Sequence, residues 1–155
     1  MASSVLKNPQ VQPSENTTRC NTDTAWNKAS KAAGLACIFK NNTGIEVHRA
    51  SWNQDFVTSP LMAEAMAVRL ALLTAASLDI FDLQVRSDNQ TVLRAITRKQ
   101  QIKEIYDILA DINRLSLSFA SLSFVFTPCS ENAEADGLAK SSLRLFLSIS
   151  GPPIG

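Results

Sequence analysis

Three strand-length segments stand before the first helical one in this chain, and behind that helix extended and helical segments alternate. From Arg19 to Trp26 the residues are short, polar and tolerant of extended backbone, and Gly34 to Phe39 is a near-continuous apolar run of strand length. Asn41-Asn42-Thr43-Gly44 supplies residues that accept positive φ, and Ile45 to Ala50 alternates apolar with polar behind it. A hairpin leading into a half-buried third strand is predicted there. Asn53 to Thr58 reads as a loop. Ser59-Pro60 then gives an N-cap followed by proline at the first helical position, and the helix runs to about Leu78 without internal Gly or Pro. Asp82 to Ser87 reads as a fourth strand, with Leu83 and Val85 on one side and Gln84 and Arg86 on the other. A helix capped by Asp88 or Asn89 extends to about Arg98, and Ile102, Ile105, Tyr106, Leu109 and Ile112 mark another. Leu117 to Phe126 reads as a fifth strand closed by Pro128, and Ser130 caps a last helix reaching about Leu147. The order β-β-β-α-β-α-α-β-α joins a hairpin meander to β-α-β units and predicts an α/β fold with a mixed sheet and helices on its faces.

The chain is 155 residues long, which fits one domain. Hydrophobic residues make up 45% and charged residues 19%, enough apolar material for a core and too little charge for a disordered chain. Fifteen Lys and Arg offset fourteen Asp and Glu, so any nucleic-acid binding must be local and cannot rest on bulk charge. Cys20, Cys37 and Cys129 form no Cys-x-x-Cys pair and have only His48 to assist them, which supports neither a disulfide framework nor a zinc site. They read as reduced thiols of an intracellular protein of the cytosol or nucleus. Residues 1–18, with Pro9 and Pro13, read as a flexible leader without the apolar core of a secretory signal, residues 19–148 as the domain and residues 149–155 as a tail. No stretch approaches 18 consecutive apolar residues, so no membrane span is expected, and a monomer is expected.

Four carboxylates fit a solvated surface poorly. Asp23 lies inside the first strand pattern, where Asp is disfavoured and has nothing local to cap. Glu64 lies on the same helical stripe as Ala67, Val68, Ala71 and Ala75, which aims a carboxylate along the packing face. Asp88 stands at the carboxyl end of the fourth strand, the rim where α/β sheets form ligand sites. Asp136 lies one turn after Asn132 inside the last helix. Each has a second reading, Asp88 as a helix cap and Asp136 as an exposed helical acid. Gathered in one cleft they would repel until a cation joined them, and hard oxygen donors without His or Cys suit Mg²⁺ or Mn²⁺. Two such ions about 3.5–4 Å apart serve phosphodiester cleavage.

The segments Cys20 to Trp26, Met62-Ala63-Glu64-Ala65, Arg86-Ser87-Asp88-Asn89 and Glu131 to Lys140 occur in that order. Together they resemble the ribonuclease H type 1-like domains of plants, also called reverse-transcriptase-like and related to retroelements, over residues 19–147. The resemblance implies the ribonuclease H-like fold, a five-stranded mixed sheet with helices on both faces. It also implies hydrolysis of the RNA strand of an RNA–DNA hybrid, with Asp23, Glu64, Asp88 and Asp136 as catalytic and metal-binding residues, two Mg²⁺ ions with Mn²⁺ possible, and nucleic acid as the partner. Asn21, Asn89 and Asn132 are candidate substrate contacts, though each could equally serve a turn or cap. Relatives carry a His, or Pro-Arg, on the loop before the last carboxylate. Here Thr127 to Ala135 has no His and reads Pro128-Cys129, so weaker substrate grip is expected. The alternative is a weak or inactive nucleic-acid-binding domain derived from a retroelement. Arg94, Arg98, Lys99 and Lys103 read first as a solvated helix face, and His48 as a residue of a surface strand.

Overall fold

The computed structural model describes residues 6–7 and 14–150. Its elements are β1 (Leu6–Lys7), β2 (Thr18–Asn27), β3 (Ala32–Lys40), β4 (Glu46–Gln54), α1 (Pro60–Ser77), β5 (Asp82–Ser87), α2 (Gln90–Thr97), α3 (Tyr106–Ser116), β6 (Ser121–Phe126) and α4 (Ala133–Ser150). Short 3₁₀ turns at Lys103–Ile105 and Cys129–Glu131 lead into α3 and α4. The sheet order is β1-β6-β5-β2-β3-β4. β2, β3 and β4 form an antiparallel meander, while β5 and β6 join by parallel pairing through helical crossovers. This is the expected five-stranded mixed sheet, to which β1 adds two residues at the β6 edge.

That edge lies inside the stretch read as a leader. Ordered chain also precedes Arg19: Ser14 Oγ and Thr17 Oγ1 donate to the two oxygens of Asp82 at 3.0 and 2.8 Å, so the carboxylate opening β5 ties down the approach to β2. Residues 1–5 and 8–13 of the leader and residues 151–155 of the tail lie outside the described residues.

Three other boundaries differ from expectation. β4 runs to Gln54, into the expected loop, because β3 continues to offer partners as far as Ala33. A register shift between Phe39 and Lys40 leaves Val47 unpaired, and the pairs Phe39–His48 and Cys37–Ala50 set the inward side of β4. Ile45 and Val47 are accordingly exposed, whereas Ala50 packs on the core. β6 begins at Ser121 rather than Leu117, since the amides of Leu117, Ser118 and Phe119 still bond back to the last turn of α3. Ser130 sits in a 3₁₀ turn and not at a cap. The first helical bond of α4 runs from Asp136 N to Asn132 O, and the helix continues to Ser150.

α1 starts as the sequence predicts: Ser59 Oγ accepts from Met62 N at 3.1 Å and Pro60 occupies the first turn. Ala67, Val68, Ala71 and Ala75 are buried on one stripe. By length and mean hydropathy, 1.3, α1 would pass for a membrane span, but it lies across the sheet as a core helix. On that face Cys20, Phe39, Val85, Leu122 and Phe124 join residues of α1, α2 and α3 in one apolar cluster. On the opposite face α4 approaches so closely that a Cβ at Gly34 would stand 2.1 Å from Ala139 O, which explains a glycine in the middle of an apolar strand.

Candidate active site

β2 lies inside the sheet, antiparallel to β3 and parallel to β5. Adjacent parallel strands end at a common rim, where α/β sheets form ligand sites. The β2–β5 ladder closes at the pair Asn21–Arg86, and Asp23 and Asp88 each follow that pair by two residues. Both carboxylates therefore stand where the strands part. Glu64 reaches the opening from the second turn of α1, and Thr24 Oγ1 donates to its Oε2 at 2.8 Å. One oxygen from each of Asp23, Glu64 and Asp88 lies within 4.8 Å of the other two.

The electrostatics follow from that crowding. Burial pushes the Asp23 carboxyl up from 3.8 to about 6; the Thr24 amide opposes this, Asp88 and Asp136 add to it, and Lys140 counters. Burial raises Glu64 further, from 4.5 to about 8, against the Thr24 hydrogen bond and with help from Asp23 and Asp88. Asp88 is raised as well, by burial first and then by Asp136. Glu64 Oε1 is buried without a hydrogen-bond donor among the described residues. An acceptor without a donor beside two more carboxylates is a cation's place, and this all-oxygen set fits a hard divalent ion.

Asp136 stands apart from the three. It is half exposed, one turn into α4, and pairs with Lys140 Nζ at 3.0 Å, yet it lies near enough to raise Asp23 and Asp88. The two readings of Asp88 separate here: Asn89 is the N-cap of α2, accepting from Val92 N at 3.0 Å, which leaves the Asp88 carboxylate to the cluster. Asn132, expected as a substrate contact, is 1% exposed with both ends of its amide engaged. Its Oδ1 accepts from Asn21 Nδ2 at 3.0 Å and its Nδ2 donates to Thr22 O at 2.8 Å, which latches the start of α4 to β2.

Two residues near the cluster escaped the sequence reading. Lys140 follows Asp136 at the i,i+4 spacing of a helical ion pair, a signal available in the sequence. Thr24 gave none, because its contact with Glu64 spans forty residues. His48 lies on β4, two strands from β2, against Phe39. Cys20 and Cys37 are buried free thiols, and Cys129 is an exposed one. Arg94, Arg98, Lys99 and Lys103 are exposed without ion pairs among the described residues, as a solvated face should be.

A mixed sheet with this strand order is the ribonuclease H-like fold, and the acidic groups stand where its central parallel strands part. The chain belongs to the reverse transcriptase-like family, which matches residues 21–142. Among solved structures it is similar to RNase H1 from the halophilic archaeon Halobacterium salinarum NRC-1, at 21% identity and a TM-score of 0.78, over 83% of this chain and 98% of that one. The N-terminal RNase H domain of a Mycobacterium tuberculosis protein matches at 14% identity and 0.79, over 88% and 99%. LC11-RNase H1, solved in complex with an RNA/DNA hybrid, matches at 22% and 0.76, over 84% and 99%. No curated protein matches the chain.

Proposed function

We propose that the protein is a metal-dependent endoribonuclease that hydrolyses the RNA strand of RNA–DNA hybrids. The observation that carries this reading is the convergence of Asp23, Glu64 and Asp88 within 4.8 Å of one another, two of them with carboxyl groups raised to about 6 and about 8. Family membership and the likeness to an RNase H1 solved on a hybrid support it. Asp23, Glu64 and Asp88 would hold the cation, with Asp136 at the rim; Mg²⁺ is the expected ion, two in number, with Mn²⁺ as a substitute. When bound, such an ion supplies Lewis-acid stabilisation of phosphoryl oxygens and makes water acidic enough to attack near neutral pH.

The chain's own contribution is placement. Thr24 holds one oxygen of Glu64 and leaves the other, buried, without a donor. The Asn21–Asn132–Thr22 latch fixes Asp136 relative to Asp23, which assigns Asn132 to positioning. Asn89 spends its oxygen on the α2 cap and keeps its amide nitrogen as a donor towards a phosphate. A substrate 2′-hydroxyl near the carboxylates gives the means to tell RNA from DNA.

The alternative, an inactive retroelement-derived binding domain, draws on the Asp136–Lys140 pair and on a loop with Pro128-Cys129 before the last carboxylate. Labelled RNA–DNA, RNA–RNA and DNA–DNA duplexes incubated with Mg²⁺, Mn²⁺ or EDTA separate the two. EDTA-sensitive cutting of the hybrid's RNA strand alone, abolished by Asp23→Asn, is the expected result. Hybrid binding without such cutting would establish the inactive domain.

A further inference from the structure

On the side of the sheet that carries α4, a cavity of about 160 Å³ opens between β2, the end of β3 with the turn after it, Arg86 of β5 and the approach to that helix, and Arg19, Asn21, Lys40, Arg86, Glu131 and Glu134 are among its lining residues. Arg19 pairs with Gln84 in the β2–β5 ladder and Asn21 with Arg86, so the two arginines are diagonal neighbours on one face. The charges around them do not balance. Lys40 is taken by Glu134 at 2.6 Å, and Glu131 favours the charge on Arg86 without pairing with it. Among the described residues neither arginine makes an ion pair. Arg86 Nε donates to Gln84 Oε1 at 2.9 Å, while Arg19 Nε is buried with no acceptor. Burial and the neighbouring Arg19 hold the Arg86 guanidinium below its ordinary range. A buried guanidinium donor without an acceptor, beside a second guanidinium, is unfavourable unless an anion joins them.

We propose that this cavity is an oxyanion site that takes a phosphate group between Arg19 and Arg86. Guanidinium forks match the oxygens of a phosphate, and the cavity has room for one with part of its hydration shell. Arg19, Asn21 and Asp23 are alternate residues of β2, hence on one side of it, and Asn21 lies about 7 Å along the strand from Asp23. Arg19 lies about 13 Å along the strand from Asp23 and Arg86 beside Asn21, so a strand phosphate one or two steps from the one being cut would reach the cavity. That identification rests on the nuclease reading, whereas anion binding as such does not, since a free phosphate-bearing molecule offers the same oxygens.

Melting of the full chain in EDTA, in inorganic phosphate against chloride at matched ionic strength, tests the site itself. Phosphate at ten times its dissociation constant should raise the wild-type Tm by about 3 °C, and most of that rise should vanish in Arg19→Gln and in Arg86→Gln. Arg19→Lys keeps the charge but not the fork and should retain a lesser part, which guards against loss through misfolding. Equal shifts in wild type and variants, or none, would overturn the proposal. Hybrid affinity, measured in the Asp23→Asn background, then separates the sources: a several-fold loss on adding Arg19→Gln, with phosphate competing, assigns the site to a strand phosphate. Unchanged hybrid affinity with the phosphate shift intact assigns it to a free phosphate ligand. Neither arm needs cleavage, so an inactive protein leaves the test standing.

Discussion

The two faces of the same sheet are built on different terms. Towards α1, α2 and α3 the strands present Cys20, Cys37, Phe39, Leu83, Val85, Leu122 and Phe124, all buried in one cluster. On the opposite face, the one that carries α4, the alternate residues of β2, β5 and β6 are Arg19, Asn21, Gln84, Arg86 and Ser123. α4 packs over β2, β3 and β4 on that face with small residues, Ala135 and Ala139 among them, where β3 presents Gly34, Ala36 and Ile38. A side chain of Leu or Phe size contributes about 1.5–3 kcal/mol when buried, so the first face carries most of the stability. The second keeps its polar groups, and Asp23 follows Arg19 and Asn21 along it. The carboxylate cluster forms in the opening where β2 and β5 part, with Glu64 supplied from the first face.

The largest effect should come from the apolar face. Phe39→Ala removes one of the largest fully buried side chains and should cost about 3–5 kcal/mol, read as a lower urea midpoint. A loss below about 1 kcal/mol would mean that this face does not carry the stability. Gly34→Ala comes next and reports on the other face. Its new Cβ would meet Ala139 O at 2.1 Å and Leu143 N at 2.8 Å, both backbone atoms, so α4 must shift, at about 2–3 kcal/mol. Stability equal to wild type would show that α4 sits loosely on the sheet.

Glu64→Gln asks what the meeting of the two faces costs. Between 4.5 and about 8 the folded chain holds a proton at Glu64 that the unfolded chain has released. The folded state thus binds more protons in that window, and metal-free stability from this group falls as pH rises through it. Asp23 acts in the same direction between 3.8 and about 6. In EDTA the variant should match wild type near pH 5 and exceed it near pH 8, by on the order of 2 kcal/mol. Millimolar Mg²⁺ should narrow the difference by stabilising only the wild type. Parallel profiles for the two proteins would remove Glu64 from the cluster.

The sequence showed one face better than the other for a physical reason. Alternation and helical stripes mark groups that leave water together, and so Leu83, Val85, Val68 and Ala71 were legible. Asp23 and Glu64 stood out because each breaks such a pattern. The Asn132 amide and Thr24 were not legible as supports, since their partners lie 111 and 40 residues away for the Asn21 and Glu64 contacts. The extension of β4 to Gln54 was equally hidden, because pairing along β3 and not the composition of Ser51 to Gln54 decides it. Asp88 remained divided between cap and ligand until the Asn89–Val92 bond placed the cap one residue later.

The smallest expected effect has the opposite sign and sharpens the contrast within the α4 face. Gly137 lies in α4 one residue after Asp136, and a Cβ there would meet nothing within 4 Å. A helical glycine gives up more conformational freedom on folding than alanine, so Gly137→Ala should add about 0.5–1 kcal/mol and raise Tm by roughly 2–3 °C. The same substitution at Gly34 is blocked by the backbone of the very helix that Gly137 belongs to. One glycine is thus held by contact and the other by nothing in its surroundings. A loss of stability at Gly137 would mean that the start of α4, beside the carboxylates and the arginine cavity, is packed as tightly as its middle.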